Sequence, residues 1–253
     1  MDPRPSIVET RTRGIDRILA VTGGKGGIGK SSVAVAIAMA LAESGARVGL
    51  LDLDLWGPSD HVILGVPRPP LGEDGGLVPG TVAGLEFLSI ASIVADEPVI
   101  LRGEAAGSAI LELLAVTVWG ELDMLVVDMP PGFADVMIDA ARHLPRAEHL
   151  VVTTPSALTA VTTRKTVAVL QRLRLPLLGV VVNMAKPGHE TDGAGDGGAD
   201  ADLGAVPVLG RVALDPTYEG ALGDPARLRE TALYRDVGRI AAAIAGPTGA
   251  RDH

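Results

Sequence analysis

Residues 23–32 form a glycine-rich segment, Gly-Gly-Lys-Gly-Gly-Ile-Gly-Lys-Ser-Ser, that few folds can accommodate. An apolar run at 18–21 precedes the segment and predicts a short buried strand. An alanine-rich run at 31–44 follows and predicts a helix that stops at Gly45. A strand, a glycine-rich loop and a helix in this order present free backbone N–H groups and the positive end of a helix dipole to an anion. The segment therefore predicts a phosphate-binding loop within an α/β unit.

The loop also carries Lys25 and Lys30, two of only four lysines in the chain. Two ammonium groups on one short turn repel each other unless an anion lies between them, so we expect a triphosphate there. Lys30 is predicted to reach the β- and γ-phosphates, and the Ser31 hydroxyl to bind Mg²⁺. The competing interpretation, a glycine-rich turn that binds nothing, leaves both lysines unexplained. The predicted nucleotide-binding residues of the loop are Gly24, Lys25, Gly26, Gly27, Ile28, Gly29, Lys30, Ser31 and Ser32.

Strand-like and helix-like runs alternate along the rest of the chain. Further strands are predicted at 47–52, 85–90, 124–128, 149–153, 177–183 and 206–209. Further helices are predicted at 105–118, 134–144, 157–173 and 228–244. The alternation predicts a three-layer α/β P-loop NTPase domain, with a mostly parallel central sheet and helices on both faces.

Proline and glycine content sets the remaining boundaries. The stretch at 67–84 is rich in both and is predicted to be a surface excursion. We expect one domain at 15–246, between a flexible N-terminal segment at 1–14 and a flexible tail at 247–253.

Acidic residues follow two predicted strands at the edge where parallel sheets bind ligands. Asp52 and Asp54 follow the second strand, and Asp128 ends the strand at 124–128. A lone acid in such a place is more often a turn former or helix cap, but three beside a phosphate loop favour catalysis. We predict that Asp54 positions the attacking water and acts with Lys25 and Lys30. We predict a metal site of Ser31, Asp52 and Asp128.

Composition excludes several other functions. A net charge of -9 and only two Trp, two Tyr and two Phe disfavour a nucleic-acid surface. The apolar runs fall short of the roughly 18 residues of a membrane span. Residues 1–13 lack the pattern of a secretory signal, so we expect a cytoplasmic protein. The chain has no cysteine, which excludes disulfides and cysteine-ligated clusters on it.

The segment at 183–186, Asn-Met-Ala-Lys, bears on the choice of base. Guanine-specific loops place an aspartate where this chain has Lys186, so adenine is favoured. The Asn183 amide is a candidate contact to the base. The alternative is an asparagine that only closes a strand.

These motifs make the chain resemble the Mrp family of ATPases, iron–sulfur cluster carrier proteins within the MinD/ParA group. The resemblance covers roughly residues 15–242. It rests on the loop at 23–31, on Leu-Leu-Asp-Leu-Asp-Leu-Trp-Gly-Pro-Ser at 50–59 and on the segment at 119–132 that ends in Asp-Met-Pro-Pro-Gly. The loop is the deviant, lysine-rich form of the Walker A motif found in this group.

The resemblance implies an ATP-dependent dimer in which Lys25 reaches the partner subunit's phosphates and Asp54 governs hydrolysis. It also implies a Cys-x-x-Cys pair after the Asn-Met segment, which would hold a cluster between subunits. This chain runs from Asn183 through Gly188 directly to His189 without that pair. We therefore expect ATP and Mg²⁺ as cofactors and no Fe–S cluster on this chain. The expected partners are a second copy or a related ATPase, and a metalloprotein client.

Three other functions compete with this interpretation. One is a MinD- or ParA-type positioning or partitioning ATPase, which the acidic charge and the scarcity of basic residues at 239–246 disfavour. Another is a small-molecule kinase, against which Lys25 and the lack of an arginine-rich lid argue. The last is a scaffold that binds nucleotide without hydrolysing it.

Overall fold

The computed structural model describes residues 2–67, 71–93, 101, 103–132, 135–186 and 206–246. The strands are β1 (Ile15–Gly23), β2 (Val48–Asp52), β3 (Leu71–Glu73), β4 (Leu77–Val82), β5 (Leu85–Ser89), β6 (Leu122–Asp128), β7 (Glu148–Thr153), β8 (Leu177–Ala185) and β9 (Val208–Ala213). The helices are α1 (Arg4–Arg11), α2 (Lys30–Glu43), α3 (Asp60–Ile63), α4 (Glu104–Val116), α5 (Asp135–His143), α6 (Ala157–Arg172), α7 (Pro225–Arg229) and α8 (Ala232–Ala245).

One nine-stranded sheet has the order β3-β4-β5-β2-β6-β1-β7-β8-β9. The seven strands from β5 to β9 in that order pair in parallel, whereas β3 and β4 are antiparallel additions at one edge. The central strands are short apolar runs because helices cover both of their faces. This confirms the predicted three-layer α/β architecture.

Alternate residues of β1 divide between two cores. Leu19 and Val21 point to one face, which α2 and α8 cover. Ile18 and Ala20 point to the other face, under α1, α4 and α5. α6 packs on β7 and β8, where it covers Val151 of β7. The side chain of the preceding residue, Leu150, points to the opposite face of the sheet. The sheet is therefore buried on both sides, and its carboxyl edge stays open for a site.

The stretch at 67–84 differs from the predicted surface excursion. Its described part forms the β3–β4 hairpin, which pairs with β5 and extends the sheet. The turn between these strands uses Gly75 at φ 64°, and the Asp74 N–H donates to the Gly76 carbonyl at 3.1 Å. The prolines and glycines correctly indicated turns in this stretch. The two strands between them, of three and six residues, were not predicted.

The N-terminal segment also differs from the flexible one that we expected at 1–14. Residues 4–11 form α1, and Val8 is buried against α4. Arg11 fixes the end of the helix by donating to the carbonyls of Ala115 and Gly75. At the other end, the helix predicted at 228–244 is divided in two by Thr231, whose hydroxyl caps α8. The predicted tail at 247–253 lies outside the described residues.

Candidate functional site

The glycine-rich loop joins β1 to α2 at the carboxyl edge of the sheet. Gly27 and Gly29 have φ of 75° and 77°, which only glycine adopts at little cost. A Cβ on Gly29 would lie 2.1 Å from the Asn183 amide nitrogen. A Cβ on Gly24 would lie 2.9 Å from the Thr162 backbone in α6. These glycines are therefore needed for the close approach of β8 and α6 to the loop.

Asn183 holds the glycine-rich loop through a buried hydrogen bond. Its amide donates to the Ile28 carbonyl at 2.9 Å, and the residue is only 2% exposed. The Ile28 side chain is also buried and packs over Gly23. The contact between Asn183 and a base, suggested by the sequence, stays a prediction.

A cavity of about 420 Å³ opens in front of the loop. Eight residues predicted for the site line it: Lys25, Gly26, Gly27, Gly29, Lys30, Ser31, Ser32 and Asp54. Five others, Gly24, Ile28, Asp52, Asp128 and Asn183, are buried around it and do not line it. The site therefore has a cationic, glycine-rich front and an acidic support behind it.

Lys30 and Ser31, the first two residues of α2, both contact Asp128 at the end of β6. The Lys30 ammonium lies 2.6 Å from Oδ1, and the Ser31 hydroxyl donates to Oδ2 at 2.6 Å. Burial disfavours the Lys30 ammonium, but attraction and hydrogen bonding to Asp128 outweigh it and raise the pKa of Lys30. Lys25, in contrast, is exposed at the front of the cavity. The two lysines thus face the cavity from different depths.

Three carboxylates lie together behind the loop. One oxygen each from Asp52, Asp60 and Asp128 falls within 4.8 Å of the others, and all three residues are fully buried. Burial, and then repulsion from Asp128, raises the pKa of Asp52 to about 7. Burial also raises the pKa of Asp60 and of Asp128, although Lys30 opposes the rise at both carboxyls. Carboxylate oxygens at this spacing are suitable ligands for a hard divalent cation.

Asp52 and Asp54 shape the segment that leads from β2 to α3. Asp52 accepts hydrogen bonds from the N–H groups of Asp54 and Ser59 at 3.0 and 3.2 Å. Asp54 Oδ1 accepts from the N–H groups of Trp56 and Gly57 at 3.2 and 3.1 Å. Asp54 is thus a turn former as well as a residue that lines the cavity.

Asp60, Tyr218 and Glu219 belong to the site but were not predicted from the sequence. Asp60 follows a Pro-Ser pair at a helix start, where an acid normally interacts with the helix dipole, so nothing local marked it. Tyr218 and Glu219 line the cavity from the turn after β9, far from the loop in sequence. Only the fold brings that turn to the site.

None of the helices within the described ranges is both long enough and apolar enough to cross a bilayer.

Comparison with known proteins gives consistent matches over most of the chain. The family model described as ParA, NUBPL iron-transfer P-loop NTPase, matches residues 14–243. An iron-sulfur cluster carrier protein from Pseudomonas fragi is 40% identical over 195 residues, which cover 74% of this chain and 68% of the relative. The protein of the same name from Escherichia coli strain K12 is 36% identical over 249 residues, which cover 91% and 68%.

Solved structures agree with these matches. A nucleotide-binding protein from Archaeoglobus fulgidus, in complex with ADP, has a TM-score of 0.70 and 26% identity, over 94% of this chain and 93% of that one. The cell division ATPase MinD from Pyrococcus furiosus has a TM-score of 0.67 and 24% identity, over 90% and 98%. The second likeness shows the fold alone.

Proposed function

Because the chain belongs to the NUBPL iron-transfer P-loop NTPase family, as its motifs predicted, we propose that it is a dimeric switch that binds ATP and hydrolyses it slowly. The family and the fold indicate an ATPase in general. The observation that carries the finer proposal is the cavity of about 420 Å³, which the glycine loop and both of its lysines line. The loop represents the deviant Walker A motif, with Lys25 as its additional lysine.

The phosphates would lie against the loop N–H groups and the start of α2. Lys30, which contacts Asp128 at 2.6 Å, is positioned to exchange that partner for the phosphate oxygens. Ser31, Asp52 and Asp128 offer hydroxyl and carboxylate oxygens, the donors that Mg²⁺ prefers. When bound there, Mg²⁺ would neutralise negative charge on the phosphates.

We assign the attacking water to Asp54. Its two hydrogen bonds, from Trp56 and Gly57, both use Oδ1 and hold the carboxylate at the cavity wall. Oδ2 is the oxygen that we assign to the water. The backbone bonds restrict the rotamer, which favours a fixed water position over a mobile one.

Exposed apolar side chains support the dimer. Trp56, Val62, Leu158, Val161, Met184 and Leu214 are exposed and all lie at or just beyond the carboxyl ends of parallel strands. This is the edge that carries the loop and Lys25, so a second copy that docks there would bring Lys25 to the partner subunit's phosphates. We further propose adenine as the base, a cytoplasmic location, and a metalloprotein client for a chain that carries no Fe–S cluster itself.

Phosphate release from Mg-ATP tests the proposal. Lys30→Ala is expected to abolish nucleotide binding in calorimetry, because the variant loses the buried cation that faces the phosphates. Asp54→Ala is expected to retain binding but to release phosphate about 100-fold more slowly. Lys165→Ala, which removes an exposed lysine of α6, is the matched control and should behave as wild type.

Two results would contradict the proposal. No heat on titration of Mg-ATP into the folded wild type would exclude an ATP site. Equal phosphate release by wild type and Asp54→Ala would remove Asp54 from the catalytic role.

A further inference from the structure

Asp60 is a buried carboxylate that the fold leaves without a hydrogen bond. It is fully buried, and neither of its side-chain oxygens has a hydrogen-bond partner in the part of the chain that the structure describes. One of those oxygens nevertheless lies within 4.8 Å of ligand atoms of Asp52 and Asp128. The carboxylate therefore points into the acidic cluster.

Both oxygens of each neighbouring acid, in contrast, accept hydrogen bonds. Asp52 accepts from the N–H groups of Asp54, Ser59 and Asp60 and from the Ser89 hydroxyl. Asp128 accepts from Lys30 and Ser31. A buried carboxylate that is ionised and has no such partners costs several kcal/mol, so the contrast with Asp60 requires an explanation.

Helix capping does not supply that explanation. Asp60 starts α3, which has only four residues, and the cap residue Ser59 makes no side-chain hydrogen bond there. Asp60 is also fully buried, and the dipole of so short a helix offsets only a small part of the cost of burying a charge.

Charge and ligand type suggest what the cluster accepts. With all three aspartates ionised, Lys30 neutralises one charge and a divalent cation would balance the remaining two. Each carboxylate oxygen has two lone pairs, so Asp52 and Asp128 can keep their hydrogen bonds and still act as ligands. A set of carboxylates without nitrogen or sulfur suits hard cations such as Mg²⁺, Mn²⁺ and Ca²⁺, and a site with only three such ligands favours the smaller Mg²⁺ and Mn²⁺.

We propose that Asp52, Asp60 and Asp128 hold a divalent cation of the Mg²⁺ or Mn²⁺ class before any nucleotide binds. The inference rests on the proposed ATPase function and deepens it, because the cation is in the site ahead of its nucleotide. Asp60 is the residue that distinguishes this site from one completed by phosphate oxygens.

Mn²⁺ alone, added to the nucleotide-free full chain, tests this. Electron paramagnetic resonance should show one Mn²⁺ bound per chain, and Asp60→Asn should weaken binding by about 10-fold or more. Glu219→Gln is the matched control, since it removes an acid that lines the same cavity outside the cluster, and it should bind as wild type. Mn²⁺ should also raise the melting temperature of wild type more than that of Asp60→Asn.

The outcomes separate this inference from the proposed function. Wild type that binds and hydrolyses Mg-ATP but takes up no Mn²⁺ without nucleotide would overturn the cation site alone and indicate a proton on Asp60. Equal Mn²⁺ affinity in wild type and a folded Asp60→Asn would overturn it as well. If Asp60→Asn does not fold, Asp60→Ala, which removes the carboxylate without adding volume, replaces it. Mn²⁺ binding by wild type without any affinity for ATP would instead overturn the proposed function.

Discussion

Gly29 shows how single residues set the shape of the phosphate loop. Its φ of 77° is unfavourable for any side chain, and the Asn183 amide occupies the space that a Cβ would need. Gly26 meets neither restriction. Its φ is not positive, and among the described residues no atom beyond its chain neighbours lies within 4 Å of the position that a Cβ would take. Gly26 can therefore accept a side chain, whereas Gly29 cannot.

We predict that Gly29→Ala destabilises the fold by at least about 2 kcal/mol, from backbone strain and the clash with Asn183. It should also abolish binding of Mg-ATP. Gly26→Ala is the control and should change stability by less than about 0.5 kcal/mol. Urea unfolding measures both, and equal stabilities of the two variants would contradict the geometry of the loop.

His149 makes stability depend on pH. It is fully buried in β7 with no hydrogen bond to either ring nitrogen within the described residues, and burial lowers its pKa from 6.5 to about 4. The unfolded chain binds the proton more readily, so the contribution of the neutral ring is complete above pH 6.5 and is lost as pH falls towards 4.

We predict that His149→Leu loses about 2 kcal/mol less stability than wild type between pH 7 and pH 5. Other acids and histidines titrate in both proteins and cancel in the comparison. Urea unfolding at the two pH values gives the difference, and parallel pH profiles would mean that the ring is hydrated in the native state.

Among single residues, those of the loop could be predicted from the sequence, but the burial of Asp60 and His149 could not. The loop is a local motif whose spacing itself predicts its chemistry, and the structure places eight of the predicted site residues around one cavity. Asp60 and His149 are significant because of burial, which depends on segments distant in sequence. Their neighbours in the chain look like those of any helix start or strand.

At the scale of elements, α1 is the clearest departure from expectation. Its sequence is polar apart from Ile7 and Val8, and only Val8 is buried, 2% exposed against 38% for Ile7. A single buried side chain gives too weak a periodic signal to predict a helix. The apolar central strands, in contrast, were predictable because each is a continuous run between turn residues.

We predict that Val8→Ala destabilises the protein by about 1–3 kcal/mol, because the variant leaves a cavity between α1 and α4. Ile7→Ala, on the same helix and with a similar loss of side chain, should cost less than about 0.5 kcal/mol. Equal effects in denaturant unfolding would show that α1 does not pack as the structure has it.

Across the whole molecule, one edge of the sheet carries the chemistry and most of the large exposed apolar side chains. Leu158 is 73% exposed and Val161 is 43% exposed, both near the start of α6. Ile7 is exposed as well, but α1 precedes β1 and lies towards the opposite edge. This asymmetry could not be predicted from the sequence, since it depends on which apolar side chains the distant segments of the chain leave exposed.

We predict that ATP promotes a dimer and that Leu158→Asp weakens it roughly 10-fold or more, because a charge would be buried at the apolar edge. Lys25→Ala should weaken the dimer in ATP while leaving the monomer folded. Ile7→Asp makes the same change in charge away from that edge and should dimerise as wild type. Sedimentation velocity with and without ATP distinguishes these, and a monomer under all conditions would exclude the dimer.

The hydrogen bond from Asn183 to the Ile28 carbonyl has a thermodynamic consequence for the ligand. It ties the phosphate loop to β8, so part of the loss of backbone entropy in the loop occurs during folding and not during association. A ligand that meets such a rigid receptor loses little affinity to loop ordering. Loosening β8 should therefore weaken nucleotide affinity even where no atom that touches the nucleotide has changed.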